Sequence, residues 1–205
     1  MKSLRFLLIS LALIFCASGA KAEFRYAATA GANYSSLKFK QDLVPIDHVA
    51  GPRAGVTGEL MFPGIGIGLR LGAFYSMKGA KADLGQRKIW YVDGFSNQSL
   101  YMHTLEIPVN LEFKWTRMNG IEDYIAPLVF GGPVFDFTIA HSKCSAMEYP
   151  LGSIALRAGG GFQLFKRWQL TAAYTWGMTY AIKAVKLENF SAQNRYWNVS
   201  LSYFF

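Results

Sequence analysis

Trp197-Asn198-Val199-Ser200-Leu201-Ser202-Tyr203-Phe204-Phe205 is the stretch whose reading decides the fold. Trp197, Val199, Leu201, Tyr203 and Phe205 share one face, and Asn198, Ser200 and Ser202 share the other. Successive side chains of a strand point to opposite faces, so a period of two marks a strand with one apolar side and one polar side. The stretch before it repeats the pattern. Trp168, Leu170, Ala172, Tyr174, Trp176 and Met178 oppose Gln169, Thr171, Ala173, Thr175, Gly177 and Thr179.

Working back along the chain, the same alternation recurs. Ile67, Leu69, Leu71, Ala73, Tyr75 and Met77 stand against Gly68, Arg70, Gly72, Phe74, Ser76 and Lys78. Leu105, Ile107, Val109, Leu111, Phe113 and Trp115 stand against Glu106, Pro108, Asn110, Glu112 and Lys114. Fainter strands are read over 25–36, 52–62 and 152–166, with Thr29, Asn33, Arg53, Thr57, Glu59, Arg157 and Gln163 on their polar faces. A strand over 124–140 takes its phase from Asp136 and Thr138, and its first half is ambiguous. Helical periodicity is scarce.

The sum is eight strands of about 11–16 residues, longer than the usual five or six of soluble sheets. A tilted membrane strand needs about 9–11. Connections after the second, fourth and sixth strands are short, as at Pro63-Gly64-Ile65, Arg117 to Glu122, and Lys166-Arg167. The others run about 10–21 residues. Short turns at one end and long loops at the other describe an eight-stranded antiparallel up-and-down transmembrane β-barrel, both termini on the short-turn side.

The charges at mid-strand lie on the polar face, which a soluble barrel would turn outward. The aromatics favour lipid on the other face. Tyr26 and Tyr34, Trp168 and Trp176, and Trp197 and Phe205 are each eight residues apart on the apolar side. Eight residues at about 3.3 Å, tilted about 40°, rise roughly 20 Å, which fits two aromatic girdles around an apolar band about 25 Å tall.

The first 22 residues read as a targeting segment. Lys2 and Arg5 precede an apolar run from Phe6 to Cys16, and Ala20-Lys21-Ala22 is an A-x-A cleavage site. The expectation is a signal peptide over 1–22 and a barrel domain over 23–205, starting at Glu23, with no separate soluble domain. The alternative is a lipoprotein ending its signal at Cys16, where Phe15 stands in place of the small residue a lipobox wants. Cleavage removes three bases and no acid, so the net charge of +8 falls to +5, and Cys144 becomes the only cysteine.

Composition agrees. Of 205 residues, 52% are hydrophobic, 16% aromatic and 17% charged, with a mean hydropathy of +0.16. A typical soluble domain carries about 25% charged residues. Ample apolar side chain excludes disorder, and two cysteines exclude a disulfide scaffold. After Glu23 no apolar run reaches the length of a spanning helix.

Several stretches resemble the PorT-like outer-membrane β-barrel family. Tyr26-Ala27-Ala28-Thr29-Ala30-Gly31-Ala32-Asn33-Tyr34-Ser35 is similar to the family's opening strand, and Gly72-Ala73-Phe74-Tyr75-Ser76-Met77-Lys78-Gly79-Ala80 to its third. Leu105-Glu106-Ile107-Pro108-Val109-Asn110-Leu111 resembles its "LEIP" strand, and Gly131-Gly132-Pro133 its G-P strand. The resemblance spans almost all of the chain after residue 22, in the family's order. It implies an eight-stranded barrel in the outer membrane of a Gram-negative bacterium. The founding member is associated with protein secretion and gliding, and most relatives have no assigned role. No catalytic set comes with the family.

The chemistry lies in the inward charges. Arg53, Arg70, Lys78, Lys114 and Arg157 face Glu59, Glu106, Glu112 and Asp136. An eight-stranded barrel is just wide enough for side chains to fill, and charges inside it must be paired. A polar plug is one reading, and a narrow solute path the other. His48, His103 and His141 fall near the long loops. His141 with Ser142, or His103 with Ser99, are the pairs a lipid-A-modifying enzyme would need. His141 and Cys144 make no tetrahedral metal site by themselves. Gly64-Ile65-Gly66-Ile67-Gly68 reads as a turn entering a strand and not a phosphate loop. Gly159-Gly160-Gly161 reads as room for bulky neighbours or a bend. Asn-x-Ser at Asn33, Asn97, Asn189 and Asn198 is read as idle. Lys38, Lys40, Lys81, Arg87, Lys88, Lys143, Lys183 and Lys186 lie in or beside the long loops, where phosphate-rich lipopolysaccharide would attract them.

The expected function is a structural, adhesive or partner-binding outer-membrane barrel acting through long extracellular loops, with secretion-complex accessory as one version. A lipid-modifying enzyme and a narrow channel are the alternatives. Expected partners are outer-membrane lipid and lipopolysaccharide, the barrel-assembly machinery during biogenesis, and proteins at the loops. Nucleic acid, catalytic residues, metal ligands and cofactors are not expected.

Overall fold

The computed structural model describes residues 23–39, 46–62, 66–83, 97–116, 120–142, 147–148, 150–184 and 191–205. The targeting segment, Lys40, Arg87, Lys88, Lys143, Cys144, Lys186 and Asn189 lie outside these residues.

In chain order the strands are β1 (Glu23–Phe39), β2 (Ile46–Phe62), β3 (Ile67–Asp83), β4 (Asn97–Lys114), β5 (Ile125–His141), β6 (Met147–Glu148), β7 (Gly152–Leu164), β8 (Trp168–Gly177), β9 (Ile182–Ala184) and β10 (Ser191–Phe204). Eight of them form the barrel, in the order β1-β2-β3-β4-β5-β7-β8-β10. The circle closes where β10 pairs antiparallel with β1, from Ala27 opposite Phe204 to Phe39 opposite Ala192. Closure leaves no open sheet edge, which lipid demands, since it offers unpaired backbone groups no hydrogen bonds. The short β6 and β9 pair with each other at the long-loop end.

The phases read from sequence hold. On β10, Trp197, Val199 and Leu201 are exposed, while Asn198, Ser200 and Ser202 are buried. On β3, Leu71 and Tyr75 face out and Arg70, Ser76 and Lys78 face in. The ambiguous strand resolves in the same sense. Leu128, Phe130, Val134 and Asp136 of β5 point inward, and Val129 and Phe137 outward. Its inward set is apolar in the first half, which is why alternation faded there.

Both aromatic girdles form. At the short-turn end Tyr26 stacks on Phe205 at 5.4 Å, and Tyr203 meets Trp168 at 4.8 Å and Phe205 at 5.3 Å. Toward the other end Tyr174 contacts Trp176 at 4.8 Å and Trp197 at 5.0 Å, and Tyr34 is the register partner of Trp197.

Strand length departs from expectation. β1 to β5 span 17 or 18 residues each. At about 3.3 Å per residue and about 40° of tilt that is roughly 43 Å, against an apolar band of about 25 Å. These strands therefore rise past the band at the long-loop end. The connection after β1 is correspondingly short, residues 40–45, where a long loop was expected. The turn after β4 is longer than expected and carries a single 3-10 turn, Ile121–Asp123.

Two local features follow from the inward packing. Phe130 and Leu128 sit opposite Gly159 and Gly161 in the β5–β7 register. A Cβ on Gly159 would come within 2.4 Å of the Ala172 carbonyl oxygen and 2.6 Å of the Ala173 Cβ, so the glycine there lets β7 lie close against β8. The β7–β8 turn holds Phe165 and Lys166 at φ 50 and 61, with Arg167 N–H donating to Leu164 O at 3.2 Å. Two consecutive left-handed residues are what a type I′ hairpin turn requires, and here neither is Asn or Gly.

Candidate functional site

All nine inward charges named from the sequence are buried. They divide into two layers. Glu106 and Glu112 are six residues apart on β4, which is about 15 Å along the barrel axis. Each anchors one layer.

The layer nearer the long loops is built around Glu106, which is fully buried. Arg53 donates to Glu106 Oε1 from Nε at 3.0 Å and Nη2 at 2.7 Å. Arg157 Nη2 lies 2.8 Å from the same oxygen. Lys78 Nζ lies 3.1 Å from Oε2, and the Tyr196 hydroxyl donates to Oε2 at 3.1 Å. Lys78 also donates to Asp136 Oδ1 at 2.7 Å and to the Tyr196 hydroxyl at 2.8 Å, and Arg157 donates to that hydroxyl at 3.1 Å. The Arg53 guanidinium lies 3.4 Å over the Phe74 ring. The charges of this layer and Tyr196 come from six barrel strands: β2, β3, β4, β5, β7 and β10.

The layer nearer the short turns joins Glu59 and Glu112. Lys114 Nζ donates to Glu59 Oε1 at 2.7 Å and lies 3.4 Å from Glu112 Oε1. Arg70 Nη2 approaches Glu112 Oε2 at 2.5 Å. Gln169 donates to Glu112 at 3.4 Å, and Arg25 donates to Glu59 at 3.4 Å. Phe204 closes the layer below, with Arg25 4.6 Å and Lys114 5.9 Å from its ring centroid. Strand β1 enters here through Arg25 and β8 through Gln169; β8 also reaches the upper layer, where Arg157 Nε donates to Thr175 Oγ1 at 3.0 Å.

Between the layers lies a belt of hydroxyls and amides. Thr29 is 2.9 Å from Thr57 and 2.8 Å from Ser202, and Arg53 Nη1 donates to Ser200 Oγ at 3.1 Å. Asn198 donates to Asn33 at 2.8 Å.

Sequence reasoning found the nine charges and missed Tyr196. Its parity matches Asn198 and Ser200, which was the available signal. It did not find the two-layer grouping. Contacts such as Arg53 to Glu106 skip a strand, and the stagger that permits them is not visible in one strand's pattern.

Each histidine has a ring or backbone contact of its own. His103 Nδ1 is 2.6 Å from the Tyr75 hydroxyl. Ser99 stands four residues along the same strand from His103, about 13 Å away. His141 Nδ1 faces the backbone carbonyl of Ser142 at 3.1 Å, while the Ser142 hydroxyl accepts the Tyr101 N–H at 3.2 Å. His48 stacks on Tyr34 at 4.9 Å. Among the described residues, no three His, Cys, Asp or Glu side chains gather as metal ligands.

No protein-family model matches the sequence, and no curated protein does. Solved structures match well. The outer membrane protein OprG from Pseudomonas aeruginosa is 15% identical, with a TM-score of 0.53 over 91% of this chain and 98% of its own. A major outer membrane protein from Thermus thermophilus is 13% identical, with a TM-score of 0.54 over 89% of this chain and 100% of its own. The chain has the fold of an outer-membrane β-barrel.

The outer membrane enzyme PagL also matches, at 9% identity and a TM-score of 0.47, over 88% of this chain and 99% of its own. At these identities the likeness is one of fold. What this outer-membrane barrel does chemically rests on its own residues. Its lumen is crossed by two cation–carboxylate layers that join all eight barrel strands. Such layers pair most of their charges internally and fix strand register from the inside of a lumen this narrow.

Proposed function

We propose that this protein is a sealed, non-enzymatic outer-membrane barrel that acts through its long-loop end as a structural, adhesive or partner-binding element. The observation that carries the reading is the Glu106 cluster. It ties six strands across the lumen and occupies the path a solute would take. The strands β1 to β5 support it from outside, since they rise past the apolar band and present a rigid rim to whatever the loops meet. Lipopolysaccharide suits the basic residues of that rim, where Lys38 and Lys81 are exposed. The barrel-assembly machinery is the partner during biogenesis. In the finer version the protein is PorT-like, resting on the ordered motifs at 26–35, 72–80, 105–111 and 131–133, and serves a secretion complex as an accessory. Export follows cleavage after Ala22.

The test replaces residues 84–96 and 185–190 by short Gly-Ser links and compares cross-linked partners in gently solubilised membranes by mass spectrometry. Loss of a defined partner set from a barrel that still assembles supports the reading. An unchanged set, or release of an acyl chain from lipid A by the purified protein, overturns it.

A further inference from the structure

The two charged layers do not cancel. Among the described lumen residues, the buried Arg53, Lys78 and Arg157 surround Glu106 and Asp136 in the upper layer, and Arg70 and Lys114, with the partly exposed Arg25, surround Glu59 and Glu112 in the lower. Each layer holds three cations to two carboxylates, and in the upper layer all three cations are buried. A buried charge without a counter-charge is costly, so the imbalance calls for an anion.

A cavity of about 30 Å³ lies where one would serve, lined by Arg53, Arg70, Arg157, Asn110, Thr29 and Ser200 among others. By the same measure a single water needs about 10–15 Å³, so the space takes one small ion and no metabolite. None of its lining residues is an acid. Arg70 is only 8% exposed; its Nη2 is ion-paired with Glu112, and its Nε has no hydrogen-bond partner. Asn110 Oδ1 is likewise buried and unpartnered, and the amide turned over would present its NH₂ group to an anion. Hydroxyls at Thr29 and Ser200 rotate to donate.

We propose that this cavity is a binding site for one small monovalent anion of the halide class, held by Arg53, Arg70 and Arg157 between the two charged layers. The site neutralises the upper layer and completes the plug. It rests on lumen geometry alone and stands whether or not the loops bind a partner.

Bromide is the probe. Crystals of the detergent-solubilised barrel grown with bromide should show one anomalous peak in contact with Arg70. In solution, exchanging chloride for gluconate at constant ionic strength should lower the thermal midpoint of gel heat-modifiability by several degrees. Ser200→Asp places a carboxylate beside Arg53, so that variant should lose both the peak and the gluconate effect. If it fails to assemble, Arg70→Gln takes its place and should lose the peak. A cavity without bromide, a peak with no effect in solution, or a halide effect unchanged in the variant that assembles would each overturn the proposal.

Discussion

Arg53 on β2 reaches past β3 to hold Glu106 on β4 through two nitrogens on one carboxylate oxygen. Neighbouring strands in a barrel are already joined by backbone hydrogen bonds. A contact that skips a strand ties the lumen across its width, and Glu106 makes three such attachments, to Arg53, Arg157 and Tyr196. Replacing Glu106 by Ala takes the carboxylate from Arg53 and Arg157 in a buried site and leaves Lys78 with Asp136 alone. Glu106→Ala should destabilise the barrel by about 3–5 kcal/mol, read from urea unfolding in lipid followed by tryptophan fluorescence. Unfolding at the wild-type urea midpoint would remove Glu106 from the centre of the plug.

The outward phase of β10 gives a second test. Leu201 is exposed on the apolar face, between Ser200 and Ser202, which are buried. A cation on the lipid face near the bilayer midplane costs about 2–4 kcal/mol. Leu201→Arg should therefore reduce assembly in the outer membrane, seen as loss of heat-modifiable migration on gels. Normal assembly of this variant would reverse the phase of the strand.

A third concerns the β7–β8 turn. Phe165 and Lys166 occupy the left-handed region, which costs non-glycine residues about 1–3 kcal/mol each. Asn-Gly is the preferred pair for such a turn. Changing Phe165-Lys166 to Asn-Gly should stabilise the barrel against urea by about 1–2 kcal/mol. The exposed Lys166–Asp123 ion pair that is lost contributes little. A lower urea midpoint would mean that the Phe165 ring, against Tyr124 at 6.4 Å, matters more than the turn.

Processing is a fourth. Intact mass of membrane-extracted protein should place the N-terminus at Glu23. A lipid-modified Cys16 would replace the signal-peptide reading with a lipoprotein.

How much of this was legible depends on what each strand buries. Along β10 and β8 the lumen side is Asn, Ser, Thr and Gln, so polarity alternates and the phase reads directly. Along β5 the lumen side is Leu128, Phe130 and Val134, and both faces are apolar. The contrast disappears there although the geometry does not change. Gly159 and Gly161 on the adjacent strand were the remaining cue, since room opposite them implies bulk. The extracellular strand ends were missed for a related reason. Above the lipid the outer face need not be apolar, while Leu100 and Met102 turn apolar groups inward. The charges of the site were visible residue by residue. Their division into two layers, and the part of Tyr196 in one of them, depends on barrel stagger that no single strand records.

The central claim is that the lumen is closed by paired charges. Single-channel recording in planar bilayers tests it most directly. Purified wild-type protein should give a silent trace at all applied voltages, and Glu106→Ala, if it inserts, should give brief openings as its cluster loosens. Reproducible conductance steps from the wild-type barrel would contradict the account.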